Sequence, residues 1–144
     1  MTFRLGSIPV RVRGTFLFIA LIIGAQFQKP QLVAIAAAVV FVSILVHELG
    51  HAFVGRAFGL QPQIEMHGMG GTTSWIAGRN VGNARGVVIS LAGPTFGFLL
   101  AAIAYFAHGR SSNAFVTFAL EFAFTVNVYW GIFNLLPLLP LDGG

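Results

Sequence analysis

Four apolar segments alternate with short polar turns and one longer polar interlude along this chain. The apolar segments cover about residues 15–27, 31–53, 86–107 and 114–136. A helix that crosses the hydrocarbon core of a bilayer needs about 20 apolar residues. The last three segments meet that length, and the first is short unless flanking residues extend it. The pattern predicts an all-α polytopic membrane protein with about four transmembrane helices.

The polar interlude, residues 59–85, differs from the rest of the chain because Gly, Thr, Gln and Asn are frequent and apolar runs are short. Within it, residues 64–66 and 72–76 have the character of strands, and the glycine-rich residues 67–71 join them. We therefore expect a small membrane-associated β-hairpin or sheet between the second and third helices.

Composition supports a membrane protein. Hydrophobic residues make up 56% of the 144 residues and charged residues only 8%, whereas a soluble domain carries roughly a quarter charged residues. The net charge of +4 does not indicate nucleic-acid binding, because the basic residues form no run or stripe. Cysteine is absent, which excludes disulfides and thiolate metal sites. We expect one compact body over residues 1–144.

The basic residues predict the orientation in the cell membrane. If the four segments alternate in direction, six Lys and Arg residues fall on one side and two on the other. The side with more basic residues is usually cytoplasmic, so the amino terminus and the interlude are predicted to be cytoplasmic. The six are Arg4, Arg11, Arg13, Arg56, Arg79 and Arg85, and the two are Lys29 and Arg110.

Three ionisable residues, His47, Glu48 and His51, interrupt the second apolar segment. Residues four apart on an α-helix share one face, so both imidazoles are placed to bind one Zn²⁺ ion, with Glu48 beside them as general base. A match to this short pattern also arises by chance. Ionisable groups inside a membrane span are costly and usually functional, which favours the metal site.

Such a site needs a third protein ligand and leaves one position open. Asp142 is the best candidate, because it follows the fourth segment and so returns to the cytoplasmic side, where the histidines lie. The prolines and glycines around it break the helix, which lets a short side chain point at a fixed atom. The other ionisable residues that could supply the third ligand are Glu65, Glu121, His67 and His108.

On these residues the chain resembles the site-2 proteases, which are intramembrane zinc metalloproteases. The resemblance rests on His-Glu-Leu-Gly-His at 47–51 and on residues 134–144, whose Leu-Asp-Gly run is similar to the family's second metal motif. Ser-Leu-Ala-Gly-Pro at 90–94 and the amino-terminal residues 6–13 add to it, although a histidine often found near the end of the latter is Arg13 here. Family members continue beyond the Leu-Asp-Gly motif, so we expect this chain to be a core that is incomplete at its carboxyl terminus.

The resemblance implies hydrolysis of a peptide bond within or near a transmembrane segment, with one Zn²⁺ per chain. Asn134 is a candidate to hold the developing oxyanion. A substrate helix must unwind before attack, and an exposed strand of the interlude is placed to bind it as an added strand. The substrate is expected to be a single-span membrane protein. Candidate classes are membrane-tethered transcription regulators, anti-sigma factors, pro-sigma factors and remnant signal peptides.

The alternative is a non-enzymatic membrane protein, either a metal-binding transporter or a scaffold, because histidines and carboxylates in spans also mark ion pathways. Three other polar residues have two interpretations each. Glu121 either belongs to a water path, or extends to the membrane interface or pairs with Arg110. His67 is either a metal or gating residue or a surface polar group. Asn127 either serves the site or makes a hydrogen bond between helices.

Overall fold

The computed structural model describes residues 1–76, 81–136 and 142, which form four strands and four helices. Arg79, which entered the charge count, and residues 137–141 and 143–144, which flank Asp142, lie outside the described residues. The elements in chain order are β1 (Thr2–Leu5), β2 (Ile8–Val12), α1 (Gly14–Gly24), α2 (Pro30–Ala57), β3 (Pro62–His67), β4 (Gly70–Trp75), α3 (Asn83–His108) and α4 (Ala114–Asn134).

Three of the helices are long and apolar enough to cross a membrane: α2 with 28 residues, α3 with 26 and α4 with 21. Helix α1 is apolar but has only 11 residues, which corresponds to about 16 Å, whereas the hydrocarbon core is about 30 Å thick. The expected count of four transmembrane helices is therefore not confirmed. The chain is a largely helical, multi-pass membrane protein with a small sheet.

Local signals explain where these helices begin. Pro30 occupies the first turn of α2, where its missing N–H costs nothing. The side chain of Asn113 caps α4 by accepting hydrogen bonds from the N–H groups of Phe115 and Val116 at 2.9 and 3.2 Å. The predicted start of the fourth segment is thus confirmed, and the helix ends at Asn134, two residues before the predicted end of the segment at about residue 136.

The predicted hairpin is confirmed, but it is half of a larger sheet. The strand order is β1-β2-β3-β4, with β1 and β2 antiparallel, β2 and β3 parallel, and β3 and β4 antiparallel. The parallel pair joins Val10 to Ile64 and Val12 to Met66. Since the amino-terminal strands and the interlude share one sheet, they lie at the same end of the helices, as the sequence predicted.

Strand β4 is an edge of the sheet, whereas β3 is paired on both sides. Along β4 the N–H groups alternate between facing β3 and facing outward. Trp75 lies opposite Pro62, which has no N–H, and the N–H of Ile76 donates to the Gln61 carbonyl at 2.9 Å. This register directs the N–H groups of Gly71, Thr73 and Trp75 away from β3, toward the free edge.

One apolar core holds the sheet against α1 and α2. Val10 and Met66 of the inner strands are fully buried, and Phe16 of α1 and Ile44 of α2 are nearly so. Burying a side chain of this size contributes about 1.5–3 kcal/mol. The sheet therefore forms a fixed platform along the second half of α2, the part that contains the predicted metal ligands.

Candidate metal centre

His47 and His51 lie on adjacent turns of α2 and point in the same direction. Their Nε2 atoms are 3.2 Å apart, and the residues are only 2% and 6% exposed. The Nδ1 atom of His51 lies 2.7 Å from the carbonyl oxygen of Ile89 in α3. Because a carbonyl only accepts, Nδ1 carries a proton, and Nε2, on the side that faces His47, is the ring nitrogen placed to bind a metal.

Asp142, near the carboxyl end of this sequence, contacts both histidines. Its Oδ2 atom is 2.9 Å from Nε2 of His47 and 3.3 Å from Nε2 of His51. Burial, the largest influence, acts to raise the pKa of the Asp142 carboxyl, but hydrogen bonds and charge from the two imidazoles together outweigh it and lower the pKa from its ordinary 3.8 to about 2. The carboxyl is therefore ionised at neutral pH, as a metal ligand must be.

The three atoms fit a Zn²⁺ ion in both geometry and chemistry. Their separations are 2.9, 3.2 and 3.3 Å, and ligands at about 2.0–2.1 Å in tetrahedral arrangement lie about 3.3 Å from one another. Two imidazoles and one carboxylate are the donor set of several catalytic zinc sites. His47, His51 and Asp142 thus form a possible metal site.

Gly93 of α3 leaves the space that this cluster needs. A Cβ atom at position 93 would lie 2.7 Å from Nε2 of His47 and closer still to Nε2 of His51. Neither contact is sterically possible without moving an imidazole. The sequence does not indicate this role of Gly93, because the contact joins residues more than forty positions apart.

Glu48 lies beside the cluster and is held from the sheet. It is 4% exposed, and the Thr73 hydroxyl in β4 donates to its carboxylate Oε2 at 2.7 Å. A Cβ atom at Gly71 would come within 2.5 Å of the Glu48 side chain. The edge strand therefore packs directly onto this carboxylate. Sequence reasoning missed Thr73 and Gly71, because their contact with Glu48 joins residues more than twenty positions apart.

A polar cavity of about 280 Å³ opens onto these groups. A larger groove of about 500 Å³ lies between α1, α2 and α4 and is lined almost entirely by apolar side chains. Of these two spaces, the polar cavity is the one with groups that can take part in chemistry. It is lined by Glu48, His51, Gly71, Thr72, Thr73, Trp75, Ile89, Ser90 and Asp142.

The other polar candidates make hydrogen bonds to groups other than the three clustered atoms. Asn134 is buried at the end of α4, and its Nδ2 donates to the Trp130 carbonyl at 2.8 Å. Glu121 pairs with His108 at 2.8 Å rather than with Arg110. His67 bonds to the Thr72 hydroxyl within the hairpin, as expected of a surface polar group. Asn127 bonds to Ser43 of α2, which is the expected hydrogen bond between helices.

Comparison with known proteins shows a consistent likeness, although no protein-family model matches the chain. A zinc metalloprotease of Methanocaldococcus jannaschii is 29% identical over 99% of this chain and 42% of its own length. The putative zinc metalloprotease Rip3 of Mycobacterium tuberculosis is 35% identical over 75% of this chain and 28% of its own. The putative zinc metalloprotease YwhC of Bacillus subtilis is 32% identical over 71% of this chain and 62% of its own. The chain thus spans only part of each relative.

The fold has a counterpart among solved structures. The site-2 protease from Methanocaldococcus jannaschii superposes on all of this chain, and on 68% of its own, with a TM-score of 0.75 and 22% sequence identity. The arrangement of helices and sheet described above is therefore that of a known membrane-protein fold.

Proposed function

This chain belongs to the site-2 protease family, and we propose that it hydrolyses a peptide bond within or near a transmembrane segment of another membrane protein. The observation that supports this most strongly is the position of Glu48, a buried carboxylate beside His47, His51 and Asp142 on a helix long enough to cross a membrane. A general base next to a metal site can activate a water molecule for hydrolysis. Ionisable groups within apolar membrane helices are costly and are usually retained for such a function.

His47, His51 and Asp142 are the proposed ligands of one Zn²⁺ ion. When bound, the ion supplies Lewis-acid polarisation of the scissile carbonyl. The hydrogen bond from His51 to the Ile89 carbonyl fixes the orientation of one ligand, and Gly93 keeps the ligand atoms free of steric contact. The protein's own contribution is therefore a rigid, preformed donor set.

Glu48 is the proposed general base. Its carboxylate takes a proton from the attacking water and returns it to the leaving amine nitrogen. Thr73 donates to Oε2 of Glu48, which fixes the orientation of the carboxylate. Thr73 acts through Glu48 and is therefore a positioning residue.

Asn134 is the proposed oxyanion donor, as the sequence suggested. Its Nδ2 atom is engaged with the Trp130 carbonyl within α4. The amide nitrogen carries two hydrogens and that bond uses one of them, so the second N–H can donate to a developing oxyanion. An interaction of this kind, formed only in the transition state, raises the rate of the chemical step.

The edge of β4 is the proposed binding site for the unwound substrate. The N–H groups of Gly71, Thr73 and Trp75 are directed to the free edge by the β3–β4 register, and an extended peptide can pair with such groups. Because Thr73 also bonds to Glu48, a peptide on this edge lies next to the general base. The substrate is proposed to be a single-span protein of the classes that the resemblance implies.

The test is cleavage of a panel of single-span membrane proteins by the purified full chain in lipid vesicles. We expect cleavage of at least one substrate within or near its transmembrane segment, stopped by a zinc chelator and restored by added zinc. A zinc-loaded protein that cleaves no member, while a longer relative cleaves several in the same vesicles, would contradict the proposal for this chain.

A further inference from the structure

The two histidines of the metal site differ in how their second ring nitrogen is bonded. Nδ1 of His51 bonds to the Ile89 carbonyl, whereas Nδ1 of His47 is buried and bonds to no protein group within residues 1–76, 81–136 and 142. The His47 residue is only 2% exposed. Metal-binding histidines almost always donate the other ring N–H to an oxygen acceptor. An acceptor for His47 is therefore expected nearby.

Asn127 of α4 supplies an oxygen on the correct side. Its Nδ2 donates to the Ala123 carbonyl and to the Ser43 hydroxyl, both at 2.8 Å. A carbonyl only accepts, so the nitrogen must face Ala123, and the amide cannot be flipped. This fixes the direction of Oδ1, to which no N–H or O–H of the described residues donates. The Asn127 side chain is also nearly completely buried.

Oδ1 of Asn127 and Nδ1 of His47 both lie near Gly97 of α3. A Cβ atom at position 97 would lie 3.6 Å from Oδ1 of Asn127 and 4.0 Å from Nδ1 of His47. Both polar atoms thus border the space that glycine leaves open. Buried polar groups that lack a partner and border one open space are commonly bridged by an ordered water.

We infer that Asn127 is a positioning residue of the metal site, and that its Oδ1 accepts, through one buried water, a hydrogen bond from Nδ1–H of His47. The inference rests on the proposed zinc centre. The water and Asn127 do for His47 what the Ile89 carbonyl does for His51: they keep the proton on Nδ1 and the Nε2 lone pair facing the metal. The bond to the Ala123 carbonyl orients the amide, and the hydrogen bond from Asn127 to Ser43 is a separate contact between the helices.

Two substitutions test this inference from opposite sides. Asn127→Leu removes the acceptor at similar size. Gly97→Ala places a methyl group in the space assigned to the water, at distances of ordinary contact, so the fold should tolerate it. Ser43→Ala is the control for the bond between helices. Gly86→Ala is the control for adding a methyl group to α3, since nothing lies within 4 Å of a Cβ at that position.

The first measurement is zinc affinity of the full chain in detergent, by competition with a chromogenic chelator. The second is the visible spectrum of the Co²⁺-loaded protein, which reports ligand geometry and which a purely structural role would leave unchanged. We expect Asn127→Leu and Gly97→Ala each to weaken zinc binding about 10- to 100-fold and to alter the Co²⁺ spectrum. Both controls should match the parent.

Two results would overturn the inference. One is parent-like zinc affinity and Co²⁺ spectrum in Gly97→Ala, which decides the matter even when Asn127→Leu does not fold. The other is loss of zinc in Ser43→Ala equal to that in Asn127→Leu, which would assign the effect to helix packing. A parent protein that binds no zinc would instead refute the proposed zinc centre, so the two failures are distinguishable.

Discussion

Adding one methyl group at Gly93 should destroy the metal site while leaving the helices assembled. The new Cβ atom would lie 2.7 Å from Nε2 of His47 and nearer to Nε2 of His51, whereas ordinary contacts of a Cβ atom begin at 3.4 Å. The backbone of α3 is fixed at this point by its close approach to α2, where Gly50 faces the Ala92 carbonyl. The imidazoles must therefore move.

The expected magnitude follows from these distances. His47 must retreat by about 0.7 Å and His51 by more, whereas metal–ligand distances tolerate only about 0.2 Å. Two of the three ligands are thus displaced, so zinc affinity should fall by at least about 100-fold, more than for loss of a supporting hydrogen bond. Overpacking of this kind costs about 1–3 kcal/mol in stability, which is a small loss for a protein held by several packed helices.

The assay is zinc content by mass spectrometry after dialysis against a weak chelator, together with thermal unfolding in detergent. Gly93→Ala should retain no zinc and should unfold cooperatively, within several degrees of the zinc-free parent. Gly86→Ala, on the same helix and with nothing near its Cβ, should keep one zinc per chain. Parent-level zinc in Gly93→Ala would refute the assignment of the ligand atoms beside Gly93.

Four further outcomes are expected. Asp142→Ala should lose most of its zinc, and full occupancy would reject it as the third ligand. Thr73→Val should keep zinc but lower turnover about tenfold or more, since it removes a hydrogen bond to a charged group; equal turnover would leave Thr73 without a role in catalysis. Trp75→Pro should cleave more slowly than Trp75→Ala, because both lose the indole ring but only proline loses the outward N–H; equal rates would exclude pairing of substrate at this position. A reporter inserted at residues 68–69 should be cytoplasmic and one at 110–111 should be outside, and the reverse labelling would reject the proposed orientation.

The metal cluster was predictable because the chemistry restricts the residues that can form it. His47 and His51 are tied by helical spacing, and few other residues in so apolar a chain can ligate zinc. Asp142 followed from the depth at which the fourth helix ends. The structure brings all three together, and their role as ligands stays a prediction until zinc is measured.

The sheet was only half predictable, for a physical reason. The hairpin of β3 and β4 is local, and its glycine-rich turn marks it in the sequence. Strand β2 pairs with β3, which lies more than fifty residues away in the sequence. No turn connects Ile8–Val12 to β3 directly, so the sequence does not indicate which strand it pairs with. The same non-local pairing hid the contact of Thr73 with Glu48. For α1, the apolar run predicted a helix but did not show that it is too short to cross the membrane. The helix ends at Gly24, where Val33 of α2 packs closely.

The central claim, that Glu48 activates water beside a zinc ion within the membrane, is tested most directly by comparing the parent with Glu48→Gln in vesicles. Each should be loaded with zinc and mixed with one single-span substrate, and the products identified by mass spectrometry. The account predicts one zinc per chain in both proteins, with cleavage near or within the substrate's transmembrane segment by the parent and none above background by Glu48→Gln. Cleavage by Glu48→Gln at the parent rate would contradict it.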